Sequence, residues 1–226
     1  MSKFGTTLGL LRKEYVVPAT PPASGPFELV LWENACYLLP DSRRAAVFEA
    51  LKTQVGLTPQ ALLDATDEVL LPLAKMGGMR PETRVFRWRQ IAFTAVHEFG
   101  GDLSSILQRP YPEAAKALVK FPNIGQPGAE KILLLCGLAN GLPLESNGLR
   151  VMERMGWGRS QKSYGAVYRS IQAGIHHELP SEPAILLEAH LLLREHGKTL
   201  CKTNTPHCGQ CPVAKLCNYA VTSKLG

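Results

Sequence analysis

Cys201-Lys-Thr-Asn-Thr-Pro-His-Cys208-Gly-Gln-Cys211-Pro-Val-Ala-Lys-Leu-Cys217 gathers four thiols within seventeen residues, with six, two and five residues between them. Thiolates this close in sequence suit a bound metal. An iron–sulfur cluster held by four cysteines is one reading. A tetrahedral zinc site is another, although zinc sites more often pair two C-x-x-C knuckles and only Cys208–Cys211 is such a pair. Disulfides or free thiols are the third.

Composition argues against disulfides. The first residues, MSKFGTTLGLLRKEY, lack the apolar run of a signal peptide. No stretch approaches 18 uninterrupted apolar residues, so no membrane span is expected. A chain of 226 residues buries an ample core without cross-links. The expectation is a cytoplasmic protein with reduced cysteines. Cys36 and Cys136 each sit in an apolar run and read as free buried thiols. The net charge of +6 favours a polyanionic partner. Its distribution strengthens that reading. From His196 to the C-terminus stand Lys198, Lys202, Lys215 and Lys224 with no acidic residue. A second basic cluster, Arg80, Arg84, Arg87 and Arg89, faces only Glu82; a solvated helix face is the plainer reading of these arginines.

The pattern is helical throughout. Residues 16–26, VVPATPPASGP, read as a linker, with a short helix from Leu8 to Tyr15 ahead of it. Phe27 to Leu39 is apolar nearly all round, with Glu33 and Asn34 as polar exceptions, which marks a buried central helix. Pro40-Asp41-Ser42 stops it, and Asp41 or Ser42 caps a helix running to about Val55. Further helices are predicted over 58–64, 66–76, 83–98, 111–120, 127–139, 147–155, 161–176 and 182–195. No segment alternates with period two, so the fold class is all-α.

Ala114 to Gly137 reads AAKALVKFPNIGQPGAEKILLLCG. A helix ends near Phe121, Pro122-Asn123-Ile124-Gly125 turns, and a second helix starts near Pro127. Asn123 and Gly125 are the residues that tolerate positive φ. Pro127 suits the first helical position. Outward backbone N–H groups beside a helix N-terminus bind phosphate; a plain helical hairpin is the alternative.

The turn Phe121-Pro-Asn-Ile-Gly-Gln-Pro-Gly-Ala129 resembles the LPGVGxxxA helix-hairpin-helix of the endonuclease III family of DNA glycosylases. The six, two and five cysteine spacing resembles that family's [4Fe–4S] loop. Leu144-Glu-Ser-Asn-Gly-Leu-Arg-Val151 resembles its VDTHxxRV segment, and His196-Gly197 its HG. These landmarks follow the family order from Phe27 to Cys217. The resemblance implies two helical domains: a six-helix domain over 19–139, and an iron–sulfur domain from 1–18 plus 140–226. A DNA-binding cleft would lie between them. It implies a cluster on Cys201, Cys208, Cys211 and Cys217 and a cation at the hairpin. Asn123, Ile124, Gly125, Gly128, Arg150 and Lys202 would contact DNA. The protein would be a monomer in the cytoplasm or nucleoid, acting on double-stranded DNA with a damaged base.

Three departures bear on mechanism. Pro127 stands where the family's bifunctional members carry the Schiff-base lysine, and a proline inside a chain has no nucleophilic nitrogen. Lys131, one helical turn on, is the nearby substitute, or else an exposed lysine touching phosphate. Glu145 stands at the family aspartate position, or merely caps the next helix. Its charge still suits a cationic sugar; its extra methylene moves the carboxylate by about 1 Å, enough to cost on the order of 10²-fold. In Leu31-Trp-Glu-Asn-Ala-Cys-Tyr-Leu-Leu-Pro-Asp41, Leu38 takes the place of the family's base-gap glutamine. Glu33 falls where the adenine-glycosylase branch has its general acid, or is a buried carboxylate paired with arginine. Arg150 is a candidate partner for either carboxylate. The resulting expectation is a monofunctional glycosylase with weak or no abasic-site lyase activity. A catalytically impaired lesion-binding protein on the same scaffold is the alternative; a small electron carrier fits neither the hairpin nor the basic charge.

Overall fold

The computed structural model describes residues 2–37, 39–159 and 161–222. All regular structure among them is helical, as the periodicity predicts. The chain opens with α1 (Lys3–Glu14). This helix starts earlier than its apolar pattern suggests, because Ser2 caps it by accepting from the Gly5 N–H at 3.0 Å. The chain forms two compact units. One is Pro21–Leu138; the other joins Met1–Thr20 to Ala139–Gly226.

The Pro21–Leu138 unit comprises α2 (Gly25–Ala35), α3 (Asp41–Gln54), α4 (Pro59–Asp64), α5 (Asp67–Met76), α6 (Pro81–Phe99), a 3-10 turn at Ser104–Gln108, α7 (Tyr111–Leu118) and α8 (Gln126–Leu135). Helix α2 is the centre, packed on α3, α6 and α8. Phe27, Leu29, Val30, Leu31, Trp32 and Ala35 are all buried, which is why its sequence is apolar on every side. It ends at Ala35, short of the expected Leu39. The Asn34 carbonyl accepts from the Trp88 indole at 3.3 Å, a tertiary partner in place of a continuing helix. Leu38, the proposed base-gap residue, lies outside the described residues.

The second unit contains α1, α9 (Ser146–Met155), α10 (Tyr164–Ile175), α11 (Pro183–Thr199), the cysteine loop and α12 (Asn218–Thr222). Helices α9 and α11 pack so closely that a Cβ on Gly197 would fall 2.6 Å from the Asn147 carbonyl oxygen. Only glycine allows that approach. Helix α1 docks on this unit: the Phe4 N–H donates to Glu178 at 2.8 Å, and Arg12 pairs with Glu188 at 2.6 Å. No described helix is long and apolar enough to cross a membrane.

The arginines of 80–89 do not form one solvent-facing patch. Arg84 is only 5% exposed and donates to the carbonyls of Ala74 (2.7 Å), Gly78 (3.3 Å) and Met79 (3.2 Å). It fastens the turn between α5 and α6, where Arg80 takes a left-handed φ of 58°. Arg89 pairs with Asp67 at 2.7 Å. Replacing Arg84 with Ala orphans buried carbonyls and is expected to cost about 3 kcal/mol in urea unfolding. The same change at the half-buried Arg87 is expected to stay within about 1 kcal/mol.

Candidate functional site

The hairpin joins α7 to α8. Its turn is closed by the Ile124 N–H donating to the Phe121 carbonyl at 3.2 Å. Asn123 takes the left-handed conformation, φ 59°. Gly125, expected to share that role, does not: its φ of −87° and ψ of 179° are open to any residue. One left-handed residue suffices for the turn, and Gly125 is instead the N-cap of α8. A Cβ there would meet only Pro127 Cδ at 4.0 Å, and one on Gly128 would make ordinary contact with Ile124 at 3.7 Å. Ile124 and Phe121 point into the core, while Asn123 and Gly125 are exposed.

Asn34 holds this turn in place, a role its sequence context did not disclose. It is 4% exposed on α2. Its Nδ2 donates to the carbonyls of Pro122 and Val30, both at 3.0 Å, and its Oδ1 accepts from Asn123 Nδ2 at 2.9 Å. The one available signal was a polar residue on an otherwise apolar helix.

Pro127, in the first turn of α8, leaves no amine at the family lysine position. Lys131, one turn on, is not an exposed lysine: its side chain is 16% exposed and its Nζ lies 2.6 Å from Glu33 Oε2. Arg44 Nη1 stands 3.8 Å from Glu33 Oε1. The partner that sequence proposed for Glu33, an arginine, is Arg44, with Lys131 closer still.

In the other unit, Glu145 is the N-cap of α9. Its Oε1 accepts from the N–H groups of Asn147 and Gly148, both at 2.9 Å, and its Oε2 accepts from Asn147 Nδ2 at 3.0 Å. The Tyr164 hydroxyl donates to the preceding carbonyl, Leu144, at 2.9 Å; burial, then the Glu145 charge, push that hydroxyl up to about 12. Arg150 donates to the carbonyls of Cys201 and Gly197, each at 2.8 Å, and to Asn147 Oδ1 at 2.9 Å. These bonds tie it to the cysteine loop rather than to a carboxylate.

Cys201, Cys208, Cys211 and Cys217 line one recess of about 340 Å³, mouth included, with Val151, Met155 and Val213 among its apolar walls. Among the described residues no three of these side chains converge as ligands of a single metal ion. Four thiols around one recess have the chemistry to hold a sulfur-ligated metal group. Arg154 Nη1 lies 3.3 Å from Cys201 Sγ, and His196 Nε2 lies 3.5 Å from Cys211 Sγ. Burial lowers His196 to about 4 and pushes the Cys211 thiol up to about 11. Lys202 is exposed beside the loop. Cys36 is buried, Cys136 is half-buried, and both are free thiols.

No family model matches the chain. It is 26% identical over 182 residues to endonuclease III of Sulfolobus acidocaldarius, covering 79% of this chain and 75% of that one. It is 25% identical over 158 residues to a thymine/uracil-DNA glycosylase of Pyrobaculum aerophilum, covering 70% of this chain and 64% of the other. The structure of a non-covalent endonuclease III–DNA complex superposes with a TM-score of 0.78 at 17% identity, over 100% of both chains. A thermostable thymine-DNA glycosylase does so with a TM-score of 0.77 at 15% identity, over 97% of both. The hairpin and the recess define a helix-hairpin-helix protein with a four-cysteine loop. Within that class, the chain is similar in sequence to endonuclease III proteins and shares their fold.

The hairpin's dependence on Asn34 is open to measurement. Asn34→Ala is expected to destabilise the protein by about 2 kcal/mol, because a buried carbonyl loses its donor. Asn123→Ala removes one bond and places alanine in a left-handed turn. In a double-mutant cycle by thermal unfolding the two changes are expected to couple by about 1 kcal/mol.

Proposed function

We propose that this protein is a DNA base-excision glycosylase that flips a damaged base out of duplex DNA and hydrolyses its N-glycosidic bond. The observation that carries this reading is the hairpin of Phe121–Ala129, kept on a fold that matches an endonuclease III–DNA complex from end to end. Flipping is required because the glycosidic bond is inaccessible inside a stacked duplex. The first-turn N–H groups of a helix have no intrahelical acceptors. At α8 they receive a DNA phosphate. Lys202 neutralises another from the cysteine loop. The four thiolates hold a [4Fe–4S] cluster, which keeps the loop folded.

The cleavage is monofunctional. With Pro127 in the first turn of α8, no amine is presented at the family position, and water is the nucleophile. The Glu145 carboxylate, held by three N–H donors, stabilises the cationic sugar. The proton taken up by the leaving base comes from the attacking water, with Glu33 held as the partner of Lys131, 2.6 Å away. A lesion-binding protein without glycosylase activity is the second reading. It is favoured by one observation: both Glu145 oxygens are engaged, Oε1 in capping α9 and Oε2 with the Asn147 side chain.

Metal analysis of the purified protein is expected to return about four iron atoms per chain with broad absorption near roughly 400 nm. One zinc and no iron would contradict the cluster. Screened against damaged duplexes, the protein is expected to leave abasic sites that become nicks only after alkali. Borohydride should trap little covalent complex. Pro127→Lys with Glu145→Asp should raise trapping more than the two single changes together, as for residues that act as one unit. Efficient trapping by the unmodified protein, abolished by Lys131→Met, would move the chemistry to Lys131. No base release from any duplex would leave the lesion-binding reading.

A further inference from the structure

Tyr15 stands just past the end of α1, and His196 in the last turn of α11; both belong to the unit that carries the cysteine loop. His196 is 1% exposed. Its Nδ1 lies 2.9 Å from the Tyr15 hydroxyl, and its Nε2 lies 3.5 Å from Cys211 Sγ. The Thr199 hydroxyl lies 3.1 Å from the Tyr15 oxygen. Chemistry orders the protons along this line. A thiolate ligand carries no proton, so any proton between Nε2 and Sγ belongs to the imidazole. A neutral imidazole has one N–H, so Nδ1 is left as the acceptor. The Tyr15 hydroxyl must then donate to Nδ1; the Thr199 hydroxyl beside it also lies 2.8 Å from the Glu195 carbonyl.

We propose that Tyr15 is a positioning residue for the group held by the four thiolates: acting through His196, it aims an N–H at Cys211, raises the reduction potential of that group and slows its loss. The inference rests on the reading of the four thiols as cluster ligands. Reduction places more negative charge on the ligand sulfurs, and a hydrogen bond to sulfur stabilises the more negative state. The partner on the far ring nitrogen fixes the tautomer that makes this bond possible. Cys201 has a donor of another kind. Arg154 Nη1, 3.3 Å from its Sγ, always carries protons and needs no partner to orient them. The Cys211 bond, by contrast, depends on a residue from the N-terminal segment, 196 positions away from its sulfur along the chain.

The test uses the full-length protein with its iron–sulfur centre loaded, as wild type, Tyr15→Phe, His196→Gln, His196→Phe and the two corresponding doubles. Film voltammetry reads the midpoint potential, and the visible band is followed during a chelator challenge. Tyr15→Phe is expected to shift the midpoint to more negative values and to speed bleaching on the order of tenfold, the scale of a lost outer hydrogen bond to a ligand. His196→Phe should shift it further. Adding Tyr15→Phe to either His196 variant should change nothing more, because Tyr15 acts only through the imidazole. His196→Gln, whose amide N–H replaces the Nε2–H, should return the midpoint toward wild type, and it preserves the test if the phenylalanine variant does not fold. An unshifted midpoint in Tyr15→Phe, or shifts that add in the doubles, overturns the inference while the cluster reading stands. A wild-type protein without the visible band overturns both.

Discussion

One guanidinium holds the cysteine-bearing unit together. Arg150 reaches from α9 to the carbonyls of Gly197 and Cys201 and to the side chain of Asn147. It thereby joins the start of α9, the end of α11 and the first residue of the loop. The loop has little apolar core of its own, since most of its residues from Lys202 to Gln210 are exposed. Its backbone carbonyls therefore depend on arginine donors: Arg150 at Cys201, and Arg154 at Lys202 and Thr203. Hydrogen bonds from charged donors contribute roughly twice as much as neutral ones, which suits a segment that burial cannot hold. Arg154 also brings an N–H group to the Cys201 sulfur, so the scaffold of the loop bears on the electrostatics of that thiol.

In the Pro21–Leu138 unit the corresponding constraint is polar atoms on a helix that is otherwise core. Helix α2 buries Asn34 and places Glu33 in a largely buried position, and each is matched. Asn34 is bonded to two adjacent residues of the hairpin turn, Pro122 and Asn123, and Glu33 stands against Lys131 and Arg44. An unmatched polar group in such surroundings costs roughly 1–3 kcal/mol, so these pairings restrict how the hairpin sits on α2. Because Lys131 and the hairpin belong to the same helix, the ion pair and the asparagine bridge act together. They orient the N-terminus of α8, the part of the unit suited to a phosphate.

The family resemblance and the geometry of this chain part at four residues. Pro127 removes an amine, Glu145 lengthens a carboxylate by one methylene, and Lys131 with Glu33 forms a charged pair one turn along the same helix. The longer side chain of Glu145 folds back to cap α9, which an aspartate would do with less slack. A fold can thus persist end to end while individual polar positions change, because packing depends on the apolar faces and not on a few polar atoms.

The all-helical class, the buried α2, the hairpin and the grouped thiols were legible in the sequence. Each is written in local patterns: periodicity, turn residues and spacing. The partners of charged residues were not legible. Arg84 read as part of a basic face, yet it is buried on three carbonyls; Gly125 read as a left-handed turn residue, yet Asn123 alone has that conformation. Arg150 read as a candidate carboxylate partner, yet its bonds go to the cysteine loop and to Asn147. Tyr15 carried no signal at all, and its place beside His196 arises only when α1 docks on α11. The reason is physical. Helices form from interactions within a few residues, so sequence determines them locally. The partner of a buried polar atom is chosen by contacts distant in the chain, and only the tertiary structure decides which donor meets which acceptor.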